Sequence, residues 1–302
     1  MDSSYTPQKE KSRNSEPTLR HYDPLKKLFR KLFDKLPPGT RGHIVAVLGE
    51  LISTIMFFFL FFAAIESSNV SSGTGVTIHP MHSTSQLLYI ALSAGFSFIA
   101  TGWASYRISG GLFNPMISFG LALIGAITWI RCALLFFTQT LATITAAYMV
   151  DALFRGDLNV GTGLGNGTSI AQGIIIEMLL TAQLTFTVFM LATEKHDATY
   201  LAPIGIGLSI TIAMLVGIEW TGASLNPARS LAPCVVNKAF DSYHWIYWVG
   251  PICGVFLAVL FYNLVKALEY ETAQEISTDV EHNLSNPHHR NSSFVNLTNS
   301  NS

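Results

Sequence analysis

Six long apolar runs, separated by polar or glycine-containing segments, dominate the chain. Each run approaches the roughly 20 residues that a helix needs to cross a hydrocarbon layer about 30 Å thick. The runs are continuous, whereas the strands of a membrane barrel alternate apolar and polar residues, so the pattern predicts helices. They lie at 44–65, 87–106, 127–150, 170–193, 201–218 and 244–267.

The composition supports a membrane protein. Hydrophobic residues make up 49% of the 302 residues and charged residues only 12%, about half the charged fraction of a typical soluble domain. Disordered and coiled-coil chains are excluded for the same reason. Residues 1–42 carry ten Lys or Arg and five acids, and residues 268–302 carry one Arg and five acids. We therefore expect a membrane domain over 43–267, a basic N-terminal segment over 1–42 and a disordered polar tail over 268–302.

The distribution of Lys and Arg predicts the orientation. The N-terminal segment is strongly basic, whereas the first loop, 66–86, contains no Lys or Arg, which favours a cytoplasmic N-terminus. Six crossings return the C-terminus to the cytoplasm. We expect the protein in the plasma membrane, with an internal membrane as the alternative. Met1–Arg20 lacks the apolar region of a signal peptide. Loops 66–86 and 151–169 then face outward, and their sequons predict N-glycosylation at Asn69 and Asn166.

An internal repeat relates the two halves of the membrane domain. Residues 108–116 and 220–228 both contain the pattern Ser/Thr-Gly-small-x-x-Asn-Pro. Three crossings per copy is an odd number, so the two copies must insert in opposite orientations. The predicted fold class is thus an all-α polytopic membrane protein with an inverted three-plus-three repeat, its copies at 43–150 and 170–267.

The Asn-Pro pairs predict two re-entrant half-helices. The segments 115–122 and 227–236 are apolar but too short to span. Pro suits the first helical position, and Asn114 and Asn226 suit the capping position before it. The positive ends of the two half-helices would meet near the membrane midplane, where the Asn amides offer donors to water. Loop backbone at that depth is tolerated along a water-filled cavity.

These features together resemble the aquaporin (major intrinsic protein) family. Glu50-x-x-x-Thr54 and Glu177-x-x-x-Thr181 precede the two Asn-Pro loops, and the segments 224–230 and 245–251 also match the family pattern. The resemblance covers about 43–267. It implies a channel rather than an enzyme, with a pore through each protomer of a homotetramer in the lipid bilayer.

The resemblance implies a role for each of several residues. Arg229 is expected in the selectivity filter, where its charge opposes cations. Water channels of this family usually place an aromatic residue and a His opposite the Arg, but the corresponding positions here are Ala94 and Met214, with Ala223 as the fourth. Phe96 and Phe98 lie nearby but out of register. The first motif also departs from the family pattern, since it reads Asn-Pro-Met.

The two selectivity signals disagree. The apolar filter suggests a wider pore, whereas Ser230 after the Arg and the pair Tyr247–Trp248 are typical of the water branch. We therefore predict a passive water channel that excludes protons and ions. The alternative is a broader channel for neutral solutes such as hydrogen peroxide, ammonia, carbon dioxide or glycerol.

Two buried acids, Glu50 and Glu177, admit two interpretations. Each carboxylate would accept backbone hydrogen bonds and position a re-entrant loop, or the pair would serve a proton-coupled transporter. A non-conducting structural relative is a third class. We expect no cofactor, since Cys132, Cys234 and Cys253 fit no metal motif, and no nucleic-acid partner, since the net charge is −1.

A basic amphipathic helix is predicted at 24–36. Apolar residues recur there at helical spacing with Lys and Arg between them, which suits an anionic membrane surface. A plain basic segment beside the membrane and a cover for the inner pore mouth are the alternatives.

Overall fold

The computed structural model describes residues 23–72, 83–194 and 199–272. The chain forms two compact units, Met1–Gly42 and His43–Ser302. Most of the predicted C-terminal tail, from residue 273 onward, lies outside the described residues.

The described part of the first unit contains helix α1 (Asp23–Phe33). It ends three residues before the predicted position, at a turn that precedes Pro37 and Pro38. Leu28 and Phe29 are 62% and 50% exposed, and the ring of Phe29 stacks on that of Phe33 with centroids 6.4 Å apart. The first unit thus presents an apolar surface beside basic side chains.

The second unit is built from helices, and its described residues include no strand. Six helices are long and apolar enough to cross a membrane, which confirms the predicted fold class. Pro203 fits the first turn of one of them because the missing proline N–H is not needed there. The six are α2 (Pro38–Ser72), α3 (Thr84–Ser105), α5 (Trp129–Leu153), α6 (Ile170–Val188, continued by a π-helical turn over Phe189–Thr193), α7 (Ala202–Thr221) and α9 (Ile246–Ala267).

Helix α2 extends further than its apolar run, and the predicted loop 66–86 is wrong at its start. The helix continues to Ser72 because its polar residues find partners. Glu66 accepts a hydrogen bond from the backbone N–H of Asn159, and Ser67 donates to the carbonyl oxygen of Ala63. The C-terminal end of α2 is therefore helical and polar.

Two half-helices complete the membrane domain, α4 (Pro115–Leu123) and α8 (Pro227–Asn237). Each begins with a proline at its first position after an Asn cap. Asn114 Oδ1 accepts from the backbone N–H of Met116 at 2.9 Å, and Asn226 Oδ1 accepts from that of Ala228 at 3.0 Å. Both helices thus begin at their Asn-Pro pair.

Glycines let α3 and α7 approach closely. A Cβ on Gly95 would stand 2.7 Å from the carbonyl oxygen of Gly207, and a Cβ on Gly207 would stand 2.8 Å from that of Gly95. Real side chains do not tolerate such distances, so these two positions require glycine. This contact joins the first half of the membrane domain to the second.

Four side chains join the C-terminal ends of α6 and α9: Glu194, Tyr262, Lys266 and Glu271. Tyr262 donates its hydroxyl proton to Glu194, and Lys266 lies 3.0 Å from the same carboxylate. The Tyr262 hydrogen bond, together with the Lys266 ammonium, holds the pKa of Glu194 below its usual range.

Candidate functional site

Two re-entrant loops lead into the half-helices with matching backbone conformations. Phe113 and Leu225, the residues before the two Asn caps, both have positive φ, 52° and 53°. Such a conformation costs a non-glycine residue about 1–3 kcal/mol and persists only where its surroundings enforce it. The surroundings here are two buried carboxylates.

Glu50 is fully buried and binds the first loop. Its Oε1 accepts from the backbone N–H of Leu112 at 2.9 Å and from Ser109 Oγ at 2.8 Å. Its Oε2 accepts from the backbone N–H of Phe113 at 3.0 Å and from Gln139 Nε2 at 2.8 Å. Four donors thus satisfy both carboxylate oxygens.

Glu177 makes the equivalent contacts in the second half, where it too is fully buried. Its Oε1 accepts from the backbone N–H of Ser224 at 2.9 Å and from Thr221 Oγ1 at 2.6 Å. Its Oε2 accepts from the backbone N–H of Leu225 at 2.8 Å. The two carboxylates therefore fix the strained backbone of the two loops in the same way.

The two Asn side chains connect the loops to each other. Asn114 Nδ2 donates to the carbonyl oxygen of Leu225, and Asn226 Nδ2 donates to that of Phe113, both at 2.9 Å. Each amide nitrogen carries two protons, so one N–H of each remains after this bond. Both Asn side chains line a common cavity, to which those remaining protons are available.

The cavity has a volume of about 60 Å³. Because a water molecule needs roughly 10–15 Å³ of such space, it holds on the order of four to six waters. Apart from the two Asn and Arg229, its wall is mainly apolar. The apolar side chains are those of Phe57, Phe58, Phe61, Phe98, Leu112, Phe113, Ile117, Leu184, Val188, Ala192, Ile206, Ile210, Met214 and Leu225.

Arg229 lies at the cavity wall and is 4% exposed. Its guanidinium donates through one terminal nitrogen to the carbonyl oxygen of Val160 at 3.2 Å. Its Cζ lies 5.7 Å from the ring centroid of Phe61, within cation–π range. Among the described residues, its Nε has no hydrogen-bond partner. The guanidinium is therefore held by a carbonyl and a ring, and its Nε–H is among the donors left for a solute.

The structure brings two of the four predicted filter side chains, those of Met214 and Arg229, to the cavity wall. Ala94 and Ala223 are fully buried and are not among the residues of the wall. Phe98 also lines the cavity, whereas Phe96 is 60% exposed.

The other residues singled out in the sequence lie around the second loop or behind the first. Ser230 is fully buried and shares a hydrogen bond with Ser224 at 2.6 Å. The Tyr247 hydroxyl donates to the carbonyl oxygen of Thr221 at 2.9 Å. Met116 is 4% exposed and packs outside the cavity wall. These side chains support the loops.

The two outer sequons differ sharply in the structure. Asn69 is 4% exposed in the last turns of α2, and its Nδ2 donates to the carbonyl oxygen of Asn159 at 2.9 Å. A glycan on that buried nitrogen would open the packing around it, so the fold argues against the predicted modification at Asn69. Asn166 lies in the loop between α5 and α6 and is exposed, with its Nδ2 donating to Glu219.

Sequence reasoning missed the aromatic wall. Phe57 packs on Phe113 with centroids 5.4 Å apart and on Phe98 at 5.8 Å. The only signal was the run of phenylalanines in the first apolar segment, which a membrane span also explains. The described residues contain no cluster of His, Cys, Asp and Glu that would hold a metal ion.

Comparison with known proteins identifies the family. Residues 40–262 match the profile described as major intrinsic protein. The chain is similar to aquaporin-5 of Botryotinia fuckeliana, with 52% identity over 85% of this chain and 68% of the relative. It is also similar to aquaporin-7 of that organism, with 49% identity over 83% of this chain but only 55% of the relative's length, and to aquaporin-1 of Gibberella zeae, with 47% identity over 82% and 78%.

A solved structure agrees on the fold. The aquaglyceroporin from Plasmodium falciparum superposes with a TM-score of 0.65 over 76% of this chain and 99% of that protein, at 20% identity. Six apolar helices, two capped half-helices and the sequence matches all lead to one conclusion: the chain belongs to the major intrinsic protein (aquaporin) family, whose members are membrane channels and not enzymes.

Proposed function

We propose that the protein is a passive water channel that excludes protons and ions. The observation that carries the proposal is the meeting of Asn114 and Asn226 in one small cavity whose wall is mainly apolar apart from them, Ser224 and Arg229. Each amide keeps one N–H for a passing water, and the mainly apolar wall offers that water few competing partners. Water would cross in single file, through each protomer.

Electrostatics support the exclusion of cations. The N-termini of α4 and α8 each carry a positive partial charge of about half an elementary charge. Arg229 adds a full positive charge at the same cavity. A cation or hydrated proton would lose solvation in a space of about 60 Å³ and meet positive groups and a mainly apolar surface.

A second candidate is a broader channel for small neutral solutes. The observation that favours it is the filter, in which Met214 and the buried Ala94 and Ala223 provide no polar side chain opposite Arg229. A filter without polar side chains replaces fewer of the hydrogen bonds that water loses on entry. It therefore favours water less strongly over neutral solutes such as hydrogen peroxide, ammonia, carbon dioxide or glycerol. A proton-coupled transporter is less favoured, since Glu50 and Glu177 already bind loop donors through both oxygens.

Stopped-flow light scattering on proteoliposomes tests these proposals. An impermeant osmolyte should cause fast shrinkage, and glycerol should cause fast shrinkage without rapid re-swelling. Asn226→Asp combined with Arg229→Ala should introduce an ion leak, because a positive group is lost and a negative one gained. Unchanged permeability and leak in that double variant would contradict the mechanism.

We further propose a homotetramer in the plasma membrane, with both termini in the cytoplasm and a glycan on Asn166. The basic, apolar-faced α1 would bind anionic lipid headgroups, since Lys26, Lys27, Arg30 and Lys31 accompany the exposed Leu28 and Phe29. Cross-linking of the detergent-solubilised protein tests the tetramer. Flotation with anionic and neutral vesicles of the full chain and of a variant with these four cations replaced by Gln tests lipid binding.

A further inference from the structure

We propose that Phe61, supplied by α2, sets the size limit of the filter beside Arg229. The inference rests on the proposed channel function and deepens it, because it names the side chain that separates water from larger neutral solutes. Water channels of the family usually carry an aromatic filter residue on the helix that corresponds to α3, at the position that Ala94 occupies here. The structure points to a different helix.

The first argument is the contact with Arg229. Phe61 lies four residues, or about 6 Å along the helix, from Phe57, whose ring packs against the first re-entrant loop through Phe113. The Phe61 ring centroid lies 5.7 Å from the Arg229 Cζ. The ring therefore lies against the guanidinium that defines the filter.

The second argument is the position of Phe61 in the cavity wall. Phe61 is 1% exposed yet lines the cavity, together with Met214 and Arg229. Ala94, on the helix where an aromatic was expected, is fully buried and lines no part of it. The bulky side chain that narrows this end of the pore thus comes from α2.

The third argument is rigidity. The Phe61 ring is stacked between neighbours, with centroids 6.2 Å from Phe57 and 5.9 Å from Phe62. Met214, the other apolar side chain at the filter, is unbranched and adaptable. A held aromatic ring can impose a size limit where a methionine yields, so we infer that Phe61 is the specificity-determining residue.

The neighbouring Phe62 is a matched control. Phe62 is fully buried on the same helix and contacts Phe58 and Phe61, but it is not part of the cavity wall. Replacing either residue by Ala removes one phenyl ring from the protein interior. Only the loss at position 61 opens space next to Arg229.

The test measures water and glycerol permeability in proteoliposomes, with rates divided by the amount of reconstituted protein. Phe61→Ala should raise glycerol permeability at least tenfold while water permeability changes by less than threefold. Phe62→Ala leaves the Phe61 ring in the cavity wall, so it should raise glycerol permeability far less than Phe61→Ala does and change water permeability by less than threefold. Phe61→Trp should lower water permeability, and it provides a second readout if the Ala variant fails to fold. Adding Ala94→Phe to Phe61→Ala should restore glycerol exclusion.

The outcomes separate the two proposals. If the unmodified protein conducts no water, the proposed function fails and the inference fails with it. If it conducts water but glycerol permeability is the same in the Phe61→Ala and Phe62→Ala variants, and Phe61→Trp conducts water as the unmodified protein does, the inference alone is overturned.

Discussion

Replacing Glu177 by Gln should loosen the second re-entrant loop. The carboxylate accepts from the backbone N–H groups of Ser224 and Leu225 and from Thr221 Oγ1, on two oxygens. A Gln side chain has one oxygen, which can still accept from the Ser224 N–H and from Thr221 Oγ1. Its amide nitrogen would face the Leu225 N–H, donor against donor.

The magnitude follows from these contacts. A buried N–H left without an acceptor costs about 1–3 kcal/mol, and two bonds that lose their charge lose about 1 kcal/mol each. A neutral amide is cheaper to bury than a carboxylate, which offsets part of this loss. We expect a net destabilisation of about 1–3 kcal/mol, concentrated in the loop that holds Asn226.

Two assays read out this change. The thermal unfolding midpoint of the detergent-solubilised protein should fall, and the osmotic permeability per reconstituted protein should drop. Glu219→Gln is the control, because it makes the same change in a carboxylate that accepts a hydrogen bond from Asn166. If Glu177→Gln matched the unmodified protein in both assays, the carboxylate would not position the loop.

Three further predictions concern other parts of the molecule. Gly95→Val should reduce folding yield, because the new Cβ would stand 2.7 Å from the carbonyl oxygen of Gly207. Gly39→Val should be tolerated, because a Cβ there meets no atom within 4 Å. Size-exclusion profiles of the two variants check both expectations. Asn166→Gln should abolish the glycosidase-sensitive shift on a gel, and a shift that persists would point to the other sequons. Glu194→Gln should lower the unfolding midpoint at pH 7, because the pKa of Glu194 is held low in the fold. The charged carboxylate therefore stabilises the fold above the ordinary carboxyl pKa, and this stabilisation is lost as the pH falls through the lowered value. The difference in midpoint between the two proteins should vanish at that low pH.

Local signals in the sequence predicted the half-helices closely. The expected ranges 115–122 and 227–236 differ from Pro115–Leu123 and Pro227–Asn237 by one residue at their ends. A proline at the first position and an Asn cap act within a few residues, so they do not depend on the rest of the fold.

The cavity wall depended on longer-range information. The first apolar run is hydrophobic on all sides, so its pattern does not reveal that Phe61 faces Arg229 while Phe62 does not line the cavity. The partner of Arg229 is the carbonyl oxygen of Val160, in the loop between α5 and α6. That loop packs on the second re-entrant loop, with Thr162 bonded to Ser230, and sequence composition carries no signal for such packing.

The crossed amide bonds also bear on synthesis of the protein. Asn114 donates to the carbonyl oxygen of a residue 111 positions later in the chain. At about 5–20 residues per second, the ribosome needs roughly 6–22 seconds to make that partner, and during this time the first half waits in the membrane with an incomplete loop. A chain cut short by a nonsense codon after residue 150 would never acquire the partner. Quality-control proteases should recognise such a product, because its half-formed loop leaves polar backbone open in the bilayer.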